Sequence, residues 1–463
     1  FYDIVVEVAL IRPGPIQGHS VNPYLRRRSG REEVTYLHPL LEPALRQTLG
    51  VPLFQEQLMR IATDAAGLSG ARADQLRRAM GAKRSPERME ALKGDLMVGM
   101  EERGIDAPTR ERIFEQLKGF ADFGFPESHS FSFAHIVYAS SWLKVHAPEH
   151  FYAAILASQP MGFYSPATLV QDARRHGVRV VGPSVNDSLV DASVQHVSED
   201  EVGESYSPGR PESLPSRGTV PLDVDSGLAV RIGLNQVRGL GAVAERIVEA
   251  RRQGAFTSQA DLARRAHVSA SAMEKLAMAG ALECLGAGRR EGAWAAGALA
   301  QPQARGGQWQ PFLPGTEIGS SVPELPSLSE VERMRSDVAT TGLTPGEHPF
   351  SYVRGSLPSS TLRAGDLGQD LAGRIVDVSG VVTHRQRPHT GGGITFLSLE
   401  DETGFVNVSV SVGAWKKFRR VCLESNALLV RGTLEWGDGA INVQAFRITP
   451  VDLPINVRSR DFR

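Results

Sequence analysis

The chain has 463 residues, of which 41% are hydrophobic and 22% are charged, proportions that are ordinary for a globular protein. Its 51 Lys and Arg residues balance 52 Asp and Glu residues, which excludes a uniformly basic coat for nucleic acid but leaves local basic patches open. Two cysteines, Cys284 and Cys422, exclude a disulfide scaffold and favour a reducing cytoplasm. The length predicts roughly three domains. The sequence has no run of about 18 apolar residues, so it does not predict a membrane-spanning helix.

The first 160 residues have the apolar spacing of α-helices, as in the set Phe54, Leu58, Ile61 and Ala65. Two arginines, Arg77 and Arg78, stand near the end of one predicted helix, with Lys83 after it. Arginines placed in this way can hold a triphosphate through forked, charge-assisted hydrogen bonds. The alternative, and the more usual arrangement, is a solvated helix face with acidic neighbours.

A third residue of interest in this region is His129, which lies between two serines at a predicted helix start. A single histidine is more often a surface residue or a satisfied polar residue than a catalytic one. The sequence shows no phosphate-binding P-loop, no HExxH pair and no Ser-His-Asp order, so several common enzyme classes are not indicated.

The segment VRGLG (237–241) precedes an alanine-rich helical stretch, a pattern typical of a helix-hairpin-helix. Gly239 and Gly241 permit a tight turn, and the backbone N–H groups that follow can face a phosphate. Arg238 and Arg246 add positive charge nearby. The alternative is a glycine turn between two packed helices. A second helical pair, predicted within 269–286, favours a tandem arrangement.

Five short β runs separated by turn residues predict a small barrel over 371–452. Such barrels often bind single-stranded nucleic acid with aromatic and basic side chains, and the candidates are Arg385, Arg387, Phe396 and Trp415. The alternative places the two aromatic residues in the barrel core. Two segments lack a core pattern: 196–222 is acidic and rich in Ser and Pro, which predicts a disordered insert, and 287–330 reads as a linker.

Taken together, these segments resemble the bacterial family C DNA polymerases, relatives of the replicative polymerase III alpha subunit. The matching stretches cover nearly the whole chain: VALIRPGPIQG (8–18), VPLFQEQLM (51–59), DQLRRAMGAKR (74–84), FADFGFPESHS (120–130), SSWLKVHAPEHFYAA (140–154), VRGLG (237–241) and the barrel at 371–452. Within the family, six motifs resemble the error-prone, damage-tolerance branch: FPESHS (125–130), SQPMGFYSP (158–166), DARRHGV (172–178), VVTHRQRP (381–388), LEDETG (399–404) and the closing SRDFR (459–463).

The resemblance implies a multidomain fold with mainly α-helical fingers, a tandem helix-hairpin-helix region and a C-terminal all-β OB-fold barrel. The implied organisation is the end of a palm domain (1–20), fingers (21–160), the helix-hairpin-helix domain (161–286), a linker with small connecting elements (287–370), the OB barrel (371–452) and a tail (453–463). The family's palm aspartates, which hold two Mg²⁺ ions, have no match here. We therefore expect a C-terminal fragment, with the metal site upstream of Phe1 and no catalytic or metal-binding residue in the chain.

For the site, the resemblance implies that Arg77, Arg78 and Lys83 meet the triphosphate of the incoming nucleotide. His129 would lie near the sugar, and Arg12 would shape the pocket beside the palm. The hairpin residues would hold duplex DNA, and the implied partners are primed template DNA, dNTPs, and a sliding clamp or accessory mutagenesis proteins. The nearest clamp-binding peptide, QWQPFLPG (308–315), fits the expected pattern poorly.

Two alternatives stay open at this stage. One is the replicative alpha subunit, against which the poor clamp peptide and the expected lack of a further C-terminal domain argue. The other is a non-catalytic DNA-binding module that combines the hairpin with the barrel. The finger motifs within 51–130 discriminate against it, because a simple binding module would not need them.

Overall fold

The computed structural model describes residues 1–11, 21–79, 85–121, 125–197, 221–225, 227–299, 323, 325–388, 392–437, 440–455 and 459–462. Arg12, Lys83, the peptide 308–315 and most of the predicted insert lie outside these residues. The described chain divides into two compact units, Phe1–Trp142 and Leu143–Arg463.

The first unit is helical because its apolar residues recur at intervals that place them on one face of each helix. Its helices are α1 (Tyr2–Leu10), α2 (Val21–Arg28), α3 (Glu42–Leu45), α4 (Gln55–Asp64), α5 (Gly70–Ala79), α6 (Ser85–Glu102), α7 (Ala107–Ala121) and α8 (Glu127–His146), the last of which ends beyond the unit's boundary. The predicted positions Leu58, Ile61 and Ala65 are buried in the main core of this unit. The helical prediction for this region is confirmed.

The second unit begins with α9 (Pro148–Ala157) and α10 (Pro166–Arg175), which pack on a small sheet. The sheet has the order β1-β3-β2, with β1 (Arg179–Val181) parallel and β2 (Ser193–His196) antiparallel to β3 (Leu228–Arg231). Further helices follow: α11 (Ala242–Arg251), α12 (Gln259–Ala266), α13 (Ala270–Met278), α14 (Arg289–Leu299) and α15 (Glu330–Thr341). Serine side chains cap several of these helices at their N-termini, as Ser329 does for α15.

Two predictions for this part of the chain were wrong. Residues 289–299 were read as linker but form α14, which packs against α13. Residues 269–286 were predicted as a second helical pair, but only α13 is an α-helix there, and a 3₁₀ turn follows at Glu283–Leu285. The partner of α13 is therefore α14.

The barrel comprises β5 (Ile375–Gln386), β6 (Thr395–Glu400), β7 (Phe405–Val410), β8 (Ala427–Gly437) and β9 (Ala440–Pro450). The strand path β5-β6-β7-β9-β8 closes because β8 also pairs with β5. Helix α16 (Val412–Glu424) lies between β7 and β8 in the sequence. Two short strands that were not predicted, β4 (Thr361–Leu362) and β10 (Arg460–Phe462), both pair in parallel with β5. The five predicted strands are confirmed.

Across the described residues, no helix combines the length and the apolar character that a membrane crossing requires.

Candidate nucleic-acid interface

The glycine hairpin lies at the start of α11, as the sequence predicted. Gly239 and Gly241 have φ angles of +78° and +50°, which residues with a side chain rarely adopt, and both glycines are exposed. Leu240 between them is buried and anchors the turn in the core of this region. The N–H groups of Val243 and Ala244 donate to Leu240 O at 2.9 Å and Gly241 O at 3.1 Å, which closes the turn, and the N-terminus of α11 places the positive end of its helix dipole at this surface.

Two of the predicted cations at the hairpin are held by backbone carbonyls. Arg238 donates from Nη1 to Ala339 O at 3.1 Å, near the end of α15. Arg246 donates from Nε to Ala266 O at 3.2 Å and from Nη2 to His267 O at 3.3 Å. Both side chains stay exposed, so each still contributes positive charge to the surface around the turn. Direct contact of either with DNA stays a prediction.

Sequence reasoning missed Lys275, which belongs to α13. A Cβ atom added at Gly239 would come within 2.6 Å of Lys275 Nζ, so the ammonium group lies directly over the turn. The positive φ of Gly239 explains why this residue has no side chain, since the flexible end of Lys275 could move aside. No sequence signal indicated this lysine, because its position depends on the packing of α13 beside α11.

On the barrel, the structure separates the predicted residues into exposed and structural ones. Phe396 is 40% exposed on β6, and Arg387 is exposed just beyond the end of β5. Opposite Phe396 across the β6–β7 pairing lies Ser409, which in turn pairs with Gln444 on β9. A polar face with an exposed aromatic ring suits the stacking of bases on a single strand. Phe446 on β9, also exposed, was missed in the sequence analysis.

Trp415 and Arg385 are corrections to the predicted DNA-binding set. Trp415 is 8% exposed and belongs to the barrel core, so a base cannot stack on its buried ring. The Arg387 guanidinium lies over that ring at 5.7 Å. Arg385 is also 8% exposed and donates to Cys422 O at 2.6 Å and to Ser425 O at 2.7 Å. Both residues hold the barrel together.

In the first unit, one carboxylate pairs with both predicted triphosphate-binding arginines. Asp74 lies 2.9 Å from Arg77 Nη2 and 2.7 Å from Arg78 Nε, within the same helix. The hydrogen bond from Arg77 and the charge of Arg78 hold the pKa of the Asp74 carboxyl below its usual range. This arrangement matches the alternative given above for these arginines, a solvated helix face with an acidic neighbour. One carboxylate neutralises only one of two guanidinium groups, so a net positive charge remains.

His129 lies in the first turn of α8, exposed to solvent, as the sequence predicted. Its ring packs edge-on against Phe125 at 5.2 Å and Phe133 at 4.7 Å between ring centres. An imidazole steadied in this way by two phenylalanine rings can contact a ligand.

Among the described residues, no group of three or more His, Cys, Asp or Glu side chains is arranged to hold a metal ion. The part of the chain that the structure covers therefore does not fit a two-metal site.

Comparisons with known families match three separate parts of the chain. Residues 1–104 match the bacterial DNA polymerase III alpha subunit finger domain, residues 177–292 a helix-hairpin-helix motif, and residues 373–451 an OB-fold nucleic acid binding domain. The first match begins at residue 1, where the sequence analysis placed the end of a palm domain. The predicted fold class of helical fingers, helix-hairpin-helix region and OB barrel is confirmed, and the remaining domain boundaries stay predictions.

Three bacterial relatives, each named error-prone DNA polymerase, match the whole chain. The protein of Mycobacterium bovis is 49% identical over 467 residues, that of Nocardia farcinica 48% over 475, and that of Cutibacterium acnes 46% over 484. Each alignment covers 100% of this chain, which spans only 38–42% of the length of these relatives. The resemblance to the error-prone branch is confirmed.

Proposed function

Because the chain belongs to the family of bacterial error-prone DNA polymerases, we propose that it is the DNA-handling part of an enzyme that extends primers on damaged templates. The enzyme would transfer a nucleotide from a dNTP to the primer 3′-hydroxyl, in damage-induced mutagenesis and translesion synthesis. The observation that carries this proposal is the identity of 46–49% to error-prone DNA polymerases across the whole chain. The name shared by these relatives favours this branch over the replicative subunit.

The hairpin would hold the duplex behind the growing primer end. Its exposed glycine turn at Gly241, with Lys275 and Arg246 beside it, would contact backbone phosphates without reading sequence. Binding by phosphate contacts releases counterions, so the affinity should fall steeply as the salt concentration rises.

The barrel would hold the unpaired template strand. Phe396 would stack on a base, and Arg387 would supply positive charge near the strand. Stacking tolerates any base because every base has a π-face, a property that suits an enzyme copying altered templates.

The fingers would hold the incoming nucleotide. Its triphosphate would compete with Asp74 for Arg77 and Arg78, which already lie side by side on α5. His129, steadied between two phenylalanine rings, would lie near the sugar and help to exclude a ribose 2′-hydroxyl. The family resemblance adds Arg12 and Lys83 to this set, although both lie outside the described residues.

The chemistry itself needs groups that the described residues do not provide. Two Mg²⁺ ions would activate the primer hydroxyl and stabilise the leaving pyrophosphate. From the family resemblance, we propose that this metal site lies in the part of the relatives that this chain does not span. A sliding clamp or accessory mutagenesis proteins would recruit the enzyme, and synthesis on chromosomal DNA would place it in the cytoplasm.

Primer extension combined with DNA binding tests this proposal. We expect this chain and a longer protein that includes the upstream region to bind a primed template, and only the longer protein to extend it with Mg²⁺ and dNTPs. Binding without extension by both proteins would instead favour the non-catalytic module.

A paired substitution assigns the duplex contact to the hairpin. Gly241→Ala should weaken binding because φ +50° with ψ −131° is strained for any residue with a side chain. Gly254→Ala is the matched control, since Gly254 also has a positive φ and open space but follows the other end of α11. Equal affinities for the two variants would contradict the role of the hairpin.

A further inference from the structure

Of the six motifs that resemble the error-prone branch, five lie in the second unit, and only one of these, 381–388, has contributed a residue, Arg387, to the DNA contacts described so far. These five motifs lie against one another in the fold. Two of them, within 158–178, precede the barrel in the sequence, and the other three, at 381–388, 399–404 and 459–462, lie in the barrel or just after it. We call this interface the barrel seam. It encloses a cavity of about 60 Å³ that includes Thr168, His384, Glu400 and Arg460 in its lining.

A buried ion pair lies at the centre of the barrel seam. Arg175, the last residue of α10, approaches Glu400 at the end of β6, with 2.9 Å between Nη1 and Oε1. The Arg175 and Glu400 side chains are only 9% and 4% exposed. Thr168 donates its hydroxyl to the other Glu400 oxygen at 3.2 Å. Each charge is therefore buried with a partner from across the seam.

Three further contacts join the same two sides. His384 Nε2 donates to Phe163 O at 2.6 Å. Arg460 donates to the carbonyls of Met161 and Gly162. The Arg175 guanidinium also lies over the ring of Phe405, 5.5 Å from its centre, at the start of β7.

A second arginine holds the turn between β6 and β7 from a different direction. Arg354, from the 3₁₀ helix Ser351–Ser356, lies 2.9 Å from Asp401 and 2.9 Å from Glu402. Asp401 in turn accepts the backbone N–H groups of Thr403 and Gly404, which closes the turn. The acidic motif LEDETG therefore forms ion pairs with two arginines that precede it in the chain, Arg175 and Arg354.

Hydrogen bonds connect the barrel seam to the glycine hairpin. Gln171, on the same helix as Arg175, donates to Thr344 O at 3.2 Å, just after α15. The backbone N–H of Arg238 in the hairpin donates to Thr340 O at 2.8 Å, near the end of α15. The end of α15 therefore contacts both α10 and the hairpin.

We propose that the barrel seam holds the OB barrel in one orientation relative to the hairpin, with Arg175 and Glu400 as positioning residues. A buried ion pair disfavours other packed arrangements of the barrel, because each of them would bury Arg175 or Glu400 without its counterion. If the proposed function holds, a template strand leaving the duplex reaches Phe396 over one fixed span. The inference thus deepens the proposed function and names the element that sets its geometry.

Distance measurement without DNA tests the orientation directly. Spin labels at Glu249→Cys on α11 and Lys416→Cys on α16, in a Cys284→Ser background, would report the distance by pulsed electron resonance. We expect one narrow distribution in the parent chain and a broadened or second distribution in E400Q. R460A is the second variant, because it removes only the hydrogen bonds to two backbone carbonyls. If E400Q does not fold, the distance distribution of R460A tests the proposal.

R431A is the matched control, since Arg431 pairs with Asp377 inside the barrel and away from the seam. A distribution in E400Q and R460A as narrow as that of R431A would overturn the proposal. This outcome says nothing against DNA binding, so the two failures are distinguishable.

The consequence for DNA is tested with primed templates of increasing single-stranded overhang. A fixed span predicts a step in affinity at one overhang length, since the second contact is then made at high effective concentration. We expect E400Q and R460A to reduce this gain about tenfold while duplex-only binding stays unchanged. If the affinity of the parent chain shows no step with overhang length, the claim of a fixed span between hairpin and barrel is refuted, even if the barrel has a single orientation.

Discussion

His348 is buried beside the barrel seam, with 5% of its surface exposed, and its environment predicts a pH dependence of stability. Burial, followed by the charges of Arg175, Arg174 and Arg354, lowers its pKa from 6.5 to about 3. Glu400 and Arg460 line the same cavity. In the folded protein the ring accepts the backbone N–H of Phe350 at Nδ1, which requires a neutral imidazole.

The sign follows from proton binding. Between pH 6.5 and pH 3 the unfolded chain protonates His348 while the folded chain does not, so acid favours unfolding. The stabilisation is fully present above pH 6.5 and is lost as the pH falls towards 3. With these two pKa values, lowering the pH from 7.5 to 5.0 costs about 2 kcal/mol from this residue alone.

The comparison of wild type with H348N isolates this contribution. Asparagine keeps an acceptor for the Phe350 N–H but does not titrate, so all other groups contribute equally to both proteins. The free energy of unfolding, from urea titrations followed by tryptophan fluorescence at both pH values, should fall about 2 kcal/mol more in wild type. Equal losses in the two proteins would refute the assignment of a buried neutral histidine.

Three further substitutions test individual residues. R385A should lower the free energy of unfolding by about 1.5–3 kcal/mol, because charged hydrogen bonds are lost, and the folded protein should bind DNA as before. A loss of DNA affinity without a loss of stability would instead support the predicted contact of Arg385 with DNA. F396A should weaken single-strand binding by about 1–3 kcal/mol in a fluorescence titration, whereas L423A, at another exposed apolar residue of the barrel domain, should not. In the longer protein, replacing Arg77 and Arg78 by alanine should raise the apparent nucleotide KM or lower kcat by about tens-fold in steady-state kinetics. The affinity for primed template is the control. Unchanged kinetics would show that neither arginine belongs to the nucleotide site.

The barrel strands were predictable because apolar residues alternate along them, and the same alternation explains why Arg385 was misassigned. Val376, Val378 and Val382 of β5 belong to the barrel core, and continuing that two-residue spacing would turn Arg385 outward. A β-bulge between Val382 and His384 shifts the register by one residue. After the bulge the odd position is buried, so Arg385 points inward. A sequence pattern with strict period 2 does not contain this shift.

Helix α14 shows a different limit of sequence reasoning. Gly292 and Gly297 disfavour a helix there, although its alanines favour one, and the Ala-, Gly-, Gln- and Pro-rich composition of 287–330 as a whole predicted a linker. In the fold, a Cβ added at Gly292 would lie 3.0 Å from Ala277 Cβ on α13. The absence of a side chain lets the two helices approach closely, and this packing stabilises α14.

The glycine hairpin was the most predictable part of the site, because its function depends on local backbone geometry. Lys275 and the pairing of Arg175 with Glu400 were not predictable, since both depend on contacts between segments distant in sequence. Trp415 was ambiguous for a further reason: an aromatic residue in a basic, amphipathic helix such as α16 suits a core and a binding surface equally.

Crosslinking along a primed template tests most directly the claim that the hairpin holds duplex and the barrel holds single strand. Photoreactive azidophenacyl groups would be placed on single phosphorothioates, one position at a time, and the crosslinked peptides identified by mass spectrometry. We expect duplex positions to crosslink within 237–246 and around Lys275, and template overhang positions to crosslink on the β6–β7 face near Phe396. Overhang crosslinks at the hairpin with duplex crosslinks on the barrel, or crosslinks spread equally over both, would contradict the account.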